Sequence, residues 1–297
     1  SVPPVVDEAR SKEVREVLAG LDDRAGFGLV FGADDEELVN ALLAESEMQI
    51  TVVDPDAERV ARLRQVYDER GVYGRRVTFH AGDPASFQAP PYVAPLIWVT
   101  EKMSPVVEDR DQLRAAFASL RPYGGILKLE HKADAARSWE RRLDLAALEG
   151  AEIEMSGERV TIKRAGALPG AADWTHQYGD IANTVKSNDR RVRAPLGVLW
   201  FGGSSNLDVL PRHGHGPPEQ VVGGRLFIEG MNSISARDVY TGWVIWKHDF
   251  DDLGTFGIYY NETYADTPLS TEYNQKHIPG ANGRGTNYVA TEDAVYV

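Results

Sequence analysis

Cysteine is absent from all 297 residues. Disulfides, thiolate zinc sites and a cysteine nucleophile are thereby excluded, although the absence does not identify a compartment. No apolar run approaches the roughly 20 residues of a membrane-crossing helix, and no signal-peptide pattern is present. Basic residues are scarce: 32 lysines and arginines stand against 45 aspartates and glutamates, a net charge of −13. Both halves of the chain share the acidic excess, which argues against nucleic acid as a partner. Glycine is missing where it matters most. After the apolar run Gly28–Phe31 the chain reads Gly32-Ala33-Asp34-Asp35-Glu36-Glu37, with four carboxylates in place of a glycine-rich turn.

What is present is an alternation of two periods. Residues 7–20 place Val14, Val17 and Leu18 at helical spacing. Asp34 and Asp35 are expected to cap a helix with the stripe Leu38, Ala41 and Leu42. Ile50–Val53 is a β-branched run, and Pro55 suits the first turn of a helix carrying Val60, Leu63 and Tyr67. Further strands are expected at Val77–His80, Leu96–Thr100 and Ile126–Glu130, with helices at Gln112–Leu120 and Asp134–Leu148. Ile153–Met155 and Arg159–Lys163 form a closing antiparallel pair. Strands alternating with helices of this length imply an α/β Rossmann-like domain with a mostly parallel sheet, over residues 25–165. Residues 1–24 are an N-terminal helical extension.

Residues 166–172 form a small-residue linker, and beyond it helical periodicity stops. Short β-type runs follow over 173–297, at Val198–Phe201, Arg225–Glu229, Trp243–Trp246, Gly257–Tyr260, Asn287–Ala290 and Ala294–Val297. This half is an all-β region. His213-Gly214-His215 and Glu219 supply too few neighbouring ligands for zinc, so no metal site is expected. His80, His131 and Glu101 lie at strand ends, where the first two read as structural histidines and the third as a solvated carboxylate.

The order of motifs in residues 25–165 resembles class I S-adenosylmethionine-dependent methyltransferases. The resemblance rests on Gly32 after the first strand, Asp54 ending ITVVD, Gly82-Asp83 after the third strand, and Leu120-Arg121-Pro122-Tyr123-Gly124-Gly125 before the fifth. It implies that Gly32, Asp54, Gly82 and Asp83 would bind S-adenosylmethionine, Asp54 through the ribose hydroxyls and Gly82-Asp83 beside the adenine. The family's further glycines would fall at positions 34 and 36, where this chain has Asp34 and Glu36. Carboxylates there bring Cβ atoms and negative charge toward a ligand that carries a carboxylate. The loop is therefore expected to hold no cofactor. No Asn-Pro-Pro-Tyr type motif follows the fourth strand, and the catalytic residues are unknown.

Ala236-Arg237-Asp238-Val239-Tyr240-Thr241-Gly242-Trp243-Val244-Ile245-Trp246 resembles one blade of a pyrroloquinoline-quinone-type β-propeller, with Trp246 as the tryptophan docked between blades. A second blade begins at Asp293. Residues 173–297 hold too few blades to close a ring, so the expectation is a partial propeller in a fragment of a longer polypeptide. A protein partner or the rest of the parent chain would complete it. The leading expectation is a non-catalytic scaffold or assembly module. The alternatives are an active S-adenosylmethionine-dependent methyltransferase and a piece of a quinoprotein-like oxidoreductase. The propeller resemblance implies the periplasm or cell envelope in preference to the cytoplasm.

Overall fold

The computed structural model describes residues 6–22, 24–132, 136–201, 218–230, 233–250 and 288–297. The chain divides into two compact units, 1–169 and 170–297.

The first unit is built on a seven-stranded sheet. Its strands are β1 (Phe27–Phe31), β2 (Gln49–Asp54), β3 (Val77–Ala81), β4 (Leu96–Val99), β5 (Gly125–Glu130), β6 (Ala151–Ser156) and β7 (Arg159–Arg164), in the spatial order β3-β2-β1-β4-β5-β7-β6. Strands β1 to β5 pair in parallel, and β7 runs antiparallel to both β5 and β6. Both faces of the sheet are covered, which is why strands such as LIWV are apolar at every position. On one face, Val14 and Leu18 of α1 (Glu8–Leu18), Leu38 and Leu42 of α2 (Glu36–Glu45), and Leu63 and Tyr67 of α3 (Ala57–Glu69) pack on Val30, Val52 and Trp98. On the other, Leu113 and Phe117 of α6 (Arg110–Ala118) and Trp139 and Leu143 of α7 (Ala136–Ala146) pack on Leu29, Ile97, Val99 and Leu127. Two short helices, α4 (Pro84–Phe87) and α5 (Ser104–Val107), complete the unit. The arrangement is a mixed, mostly parallel sheet of Rossmann-like type. Chain progression reverses at β1, so the topological switch point lies between the carboxyl ends of β1 and β4, the place where ligands of such sheets bind.

Aspartate starts the principal helices by accepting a main-chain N–H with its side chain. Asp7 accepts from Arg10 N, Asp35 from Leu38 N, Asp56 from Arg59 N and Asp109 from Gln112 N. Asp35 alone caps α2. Asp34, expected to share that task, is turned elsewhere.

Helix α1 is tied to the sheet by ions. Glu13 meets Lys128 Nζ at 2.5 Å, Arg159 Nη2 at 2.7 Å and Arg10 Nη1 at 2.5 Å. Arg10 also reaches Glu130 at 2.9 Å and pairs with Asp35. Burial works against the Glu13 charge, but Lys128 and then Arg10 overcome it and hold the carboxyl below its usual range. A carboxylate with a lower pKa folded than unfolded stabilises above its unfolded value, about 4.3. That contribution is lost as pH falls through the folded value. Urea unfolding of the full chain should therefore show stability falling as pH drops below about 4, with a shallower slope in Glu13→Gln. Identical slopes in the two proteins would refute this.

The second unit contains a four-stranded antiparallel meander of β8 (Gln220–Val222), β9 (Arg225–Gly230), β10 (Ser233–Asp238) and β11 (Val244–Asp249), and a separate pair, β12 (Val289–Ala290) with β13 (Val295–Tyr296). Gln220 binds the two pieces together: its Nε2 donates to Tyr288 O at 2.7 Å, and its Oε1 accepts from Ala290 N at 2.9 Å. Asp238 forms a turn after β10, its Oδ1 accepting from Tyr240 N at 2.8 Å and Thr241 N at 3.0 Å.

Two expectations for this half are corrected, and the partial propeller finds no support: the described residues show antiparallel sheets only. Alternation within a strand fixes which residues face one side of a sheet, and leaves the stacking of one sheet on another undetermined. Trp246, expected to be docked and buried, is 36% exposed, with its ring 6.2 Å from that of Phe227. Val198–Phe201 is not a strand, and Phe201 is exposed. Gly257–Tyr260 lies outside the described residues.

Candidate functional site

The carboxyl ends of β1, β2 and β3 are stitched together by main-chain bonds. Gly32 N donates to Val53 O at 2.8 Å, and Gly82 N donates to Asp54 O at 3.0 Å. Three of the four residues singled out from the sequence, Gly32, Asp54 and Gly82, are thus brought to one edge of the sheet. Asp83 follows directly.

Asp54 is the centre of this edge. It is 2% exposed, and both oxygens of its carboxylate are engaged. Oδ2 accepts from Ala33 N at 2.7 Å, in the loop after β1, and Oδ1 accepts from Asp56 N at 2.8 Å. Arg59 Nη1 lies 2.9 Å from each oxygen. Two main-chain donors and one guanidinium make the burial of this charge tolerable.

Gly32 has φ +104°, a conformation that strains any residue with a Cβ. The space beside it is occupied by the chain itself. A Cβ here would overlap Thr100 Oγ1 and lie 3.0 Å from Asp34 Oδ1. Thr100 follows β4 directly and donates to Asp34 Oδ1 at 2.8 Å, bridging the loop after β1 to the end of β4. Asp34 is therefore turned inward, its side chain 13% exposed, with Lys102 Nζ at 4.0 Å.

Two of the three remaining carboxylates of the loop, Asp35 and Glu36, are paired with arginines. Asp35 caps α2 and pairs with Arg10, and Glu36 accepts from Arg62 Nη2 at 2.8 Å. The charges that were expected to repel a ligand are each offset by a partner. Proximity in sequence made them look like one anionic patch, but the tertiary fold sends them in three directions.

Gly82 and Asp83 begin a reciprocal cap on α4. Ser86 N donates to Asp83 Oδ1 at 2.8 Å, and Asp83 N donates to Ser86 Oγ at 2.9 Å. The Ser86 N–H holds the Asp83 carboxyl below its usual range, with burial opposing. Gly82 is required because a Cβ at its φ of +146° would sit 3.0 Å from Ser86 Oγ.

Of the other candidates, His80 lies opposite Val53 in the β2–β3 register, one position from Asp54. His80, on β3, is half-buried, and burial and then Arg64 push its imidazole pKa down. His131 is buried, with Nδ1 2.8 Å from Lys132 O. Glu101 is exposed. Among the described residues no group of three His, Asp or Glu side chains is placed to hold a metal ion. His213 and His215 lie outside the described residues.

No protein-family model matches the chain, and no curated protein sequence matches it. Solved structures similar to it include a putative S-adenosylmethionine-dependent methyltransferase from Methanococcus maripaludis, at 17% identity and TM-score 0.43, covering 52% of this chain and 84% of that one. A methyltransferase from Aquifex aeolicus is similar at 14% identity and TM-score 0.41, covering 52% and 87%. One from Geobacter sulfurreducens, in complex with S-adenosylhomocysteine, is similar at 18% identity and TM-score 0.38, covering 50% and 66%.

Two residues that shape this edge were not singled out from the sequence. Arg59 follows Asp54 by five positions, in the first turn of an expected helix, and that spacing was an available signal. Thr100 meets Gly32 only through the pairing of β1 with β4, which no local pattern announces.

Proposed function

We propose that the first unit is a nucleoside-binding domain of the S-adenosylmethionine-dependent methyltransferase type, with Asp54 as the residue that would hold the ribose hydroxyls. The observation that carries this reading is the Asp54 carboxylate itself, buried at the end of β2 and oriented by the main-chain N–H groups of Ala33 and Asp56. Such an acceptor is preorganised: its position is set by two loops and not by its own rotamer. The pairing of Asp35 and Glu36 with arginines supports it by removing charge that would oppose a ligand.

The residues fit the group in kind but not in their present arrangement. The Asp54 carboxylate that would hold the ribose is already satisfied by Arg59, and the space beside Gly32 is filled by Thr100. That same observation favours a second reading, in which the domain is a non-catalytic scaffold completed by a partner or by further chain.

Isothermal calorimetry of the full chain with S-adenosylmethionine and S-adenosylhomocysteine separates the two. The nucleoside reading expects one-to-one binding that Asp54→Asn abolishes while leaving the fold intact by circular dichroism. Absence of heat from both ligands at millimolar concentration, in the wild type and in a variant freed of the Arg59 contact, would leave the scaffold reading standing.

A further inference from the structure

We infer that Arg59 is a latch on the nucleoside site, occupying the Asp54 carboxylate in the ligand-free protein and swinging away when a ribose binds. The inference rests on the nucleoside reading above and adds a regulation of that site. Three donors satisfy Asp54, and two of them, Ala33 N and Asp56 N, are main-chain groups fixed by the loops after β1 and β2. Arg59 is the third, and it alone of the three can leave by rotating a side chain. Its contact is the one a ribose would replace: a single nitrogen, Nη1, sits 2.9 Å from both carboxylate oxygens and so covers the two acceptors that a pair of hydroxyls would use.

The surroundings make departure feasible. The Arg59 side chain is 30% exposed, whereas that of Asp54 is 3% exposed. Asp56, 45% exposed, already accepts from Arg59 Nη2 at 3.2 Å. A guanidinium released from Asp54 therefore keeps an anionic partner at the surface and is not stranded. Leaving Asp54 without either Arg59 or a ligand is the costly state, because the buried carboxylate would keep only its two main-chain bonds. Exchange of one donor for another is thus favoured over simple opening, so ligand and arginine compete for one carboxylate. A competing internal contact weakens apparent affinity by the fraction of molecules in which the site is open.

The test compares wild type, Arg59→Ala and Arg59→Gln in the full chain, the glutamine variant keeping most of the stem should alanine disturb α3. Calorimetry with S-adenosylhomocysteine and adenosine should show binding tighter by about tenfold or more in both variants. Adding Asp54→Asn to either should remove it. In the free wild type, NMR should show guanidinium protons of Arg59 protected from exchange, and ligand should release them. Equal affinity in wild type and both variants would overturn the latch and leave the nucleoside reading intact. Unprotected Arg59 protons in the free protein would also overturn the latch. Absence of binding in folded Arg59 variants, with the protons protected in the wild type, would overturn both: Arg59 and Asp54 would then be a structural pair.

Discussion

Glu13→Ala is expected to lower the unfolding free energy of the N-terminal unit by about 3–5 kcal/mol. Glu13 is the shared counter-ion of Lys128, Arg10 and Arg159. Lys128 lies within β5 with its side chain only 6% exposed, and its ammonium sits 4.3 Å from the centre of the Trp98 ring. Burial already pushes the Lys128 pKa down in spite of Glu13. Without Glu13, the buried ammonium would retain the ring face and the charge of Glu130, with no carboxylate hydrogen-bonded to it, and most of the desolvation cost would be uncompensated.

The companion change argues the point from the other side. Replacing both partners, Glu13→Leu with Lys128→Met, removes the charges together and should cost far less than the single change, because no ion is left unpaired. Urea unfolding of the full chain, followed by tryptophan fluorescence, measures both. If Glu13→Ala costs under about 1 kcal/mol, the pair behaves like an exposed surface bridge, and its role in attaching α1 is refuted.

The second large effect is expected at Gly32→Ala. The backbone at φ +104° costs a residue with a Cβ about 1–2 kcal/mol, and the new methyl would overlap Thr100 Oγ1 while lying 3.0 Å from Thr100 Cβ and Asp34 Oδ1. Relief requires moving β4 or breaking the Thr100–Asp34 bond, which adds about 1–3 kcal/mol. The sum is about 2–5 kcal/mol. Combining the change with Thr100→Ala should recover part of that loss and no more, because the backbone strain remains. Full recovery in the double variant would show that crowding alone makes this position glycine. No loss in the single variant would show that the turn relaxes, and that the close approach of β1 and β4 is not tight.

The parallel sheet was legible in the sequence because the strands buried on both faces are near-continuous apolar runs, and the longer helices between strands carry their own stripes. Val77–His80 and Leu96–Thr100 correspond to β3 and β4 within a residue or two. Helices α4 and α5 were missed: at four residues each they are too short to show a period. Strand β8 is three residues long and escaped for the same reason. The β-propeller was inferred from one repeat, and one repeat carries the hydrogen bonding of a blade but nothing of the ring.

Of the loop at Gly32, the sequence alone determined the essentials of backbone and composition: a strand, a glycine, four carboxylates, a helix, and an aspartate closing the next strand. Those follow from patterns within about ten residues, where spacing and local hydrogen bonding decide. Only the tertiary structure decided where each charge goes. Asp34 turns in to Thr100, Asp35 to its helix and Arg10, Glu36 to Arg62, and Asp54 to Arg59. Thr100, Arg10 and Arg62 come from a distant strand and two different helices. Electrostatic energy falls with distance in space, whatever the separation in sequence, so an anionic run read along the chain becomes a set of satisfied pairs in the folded protein.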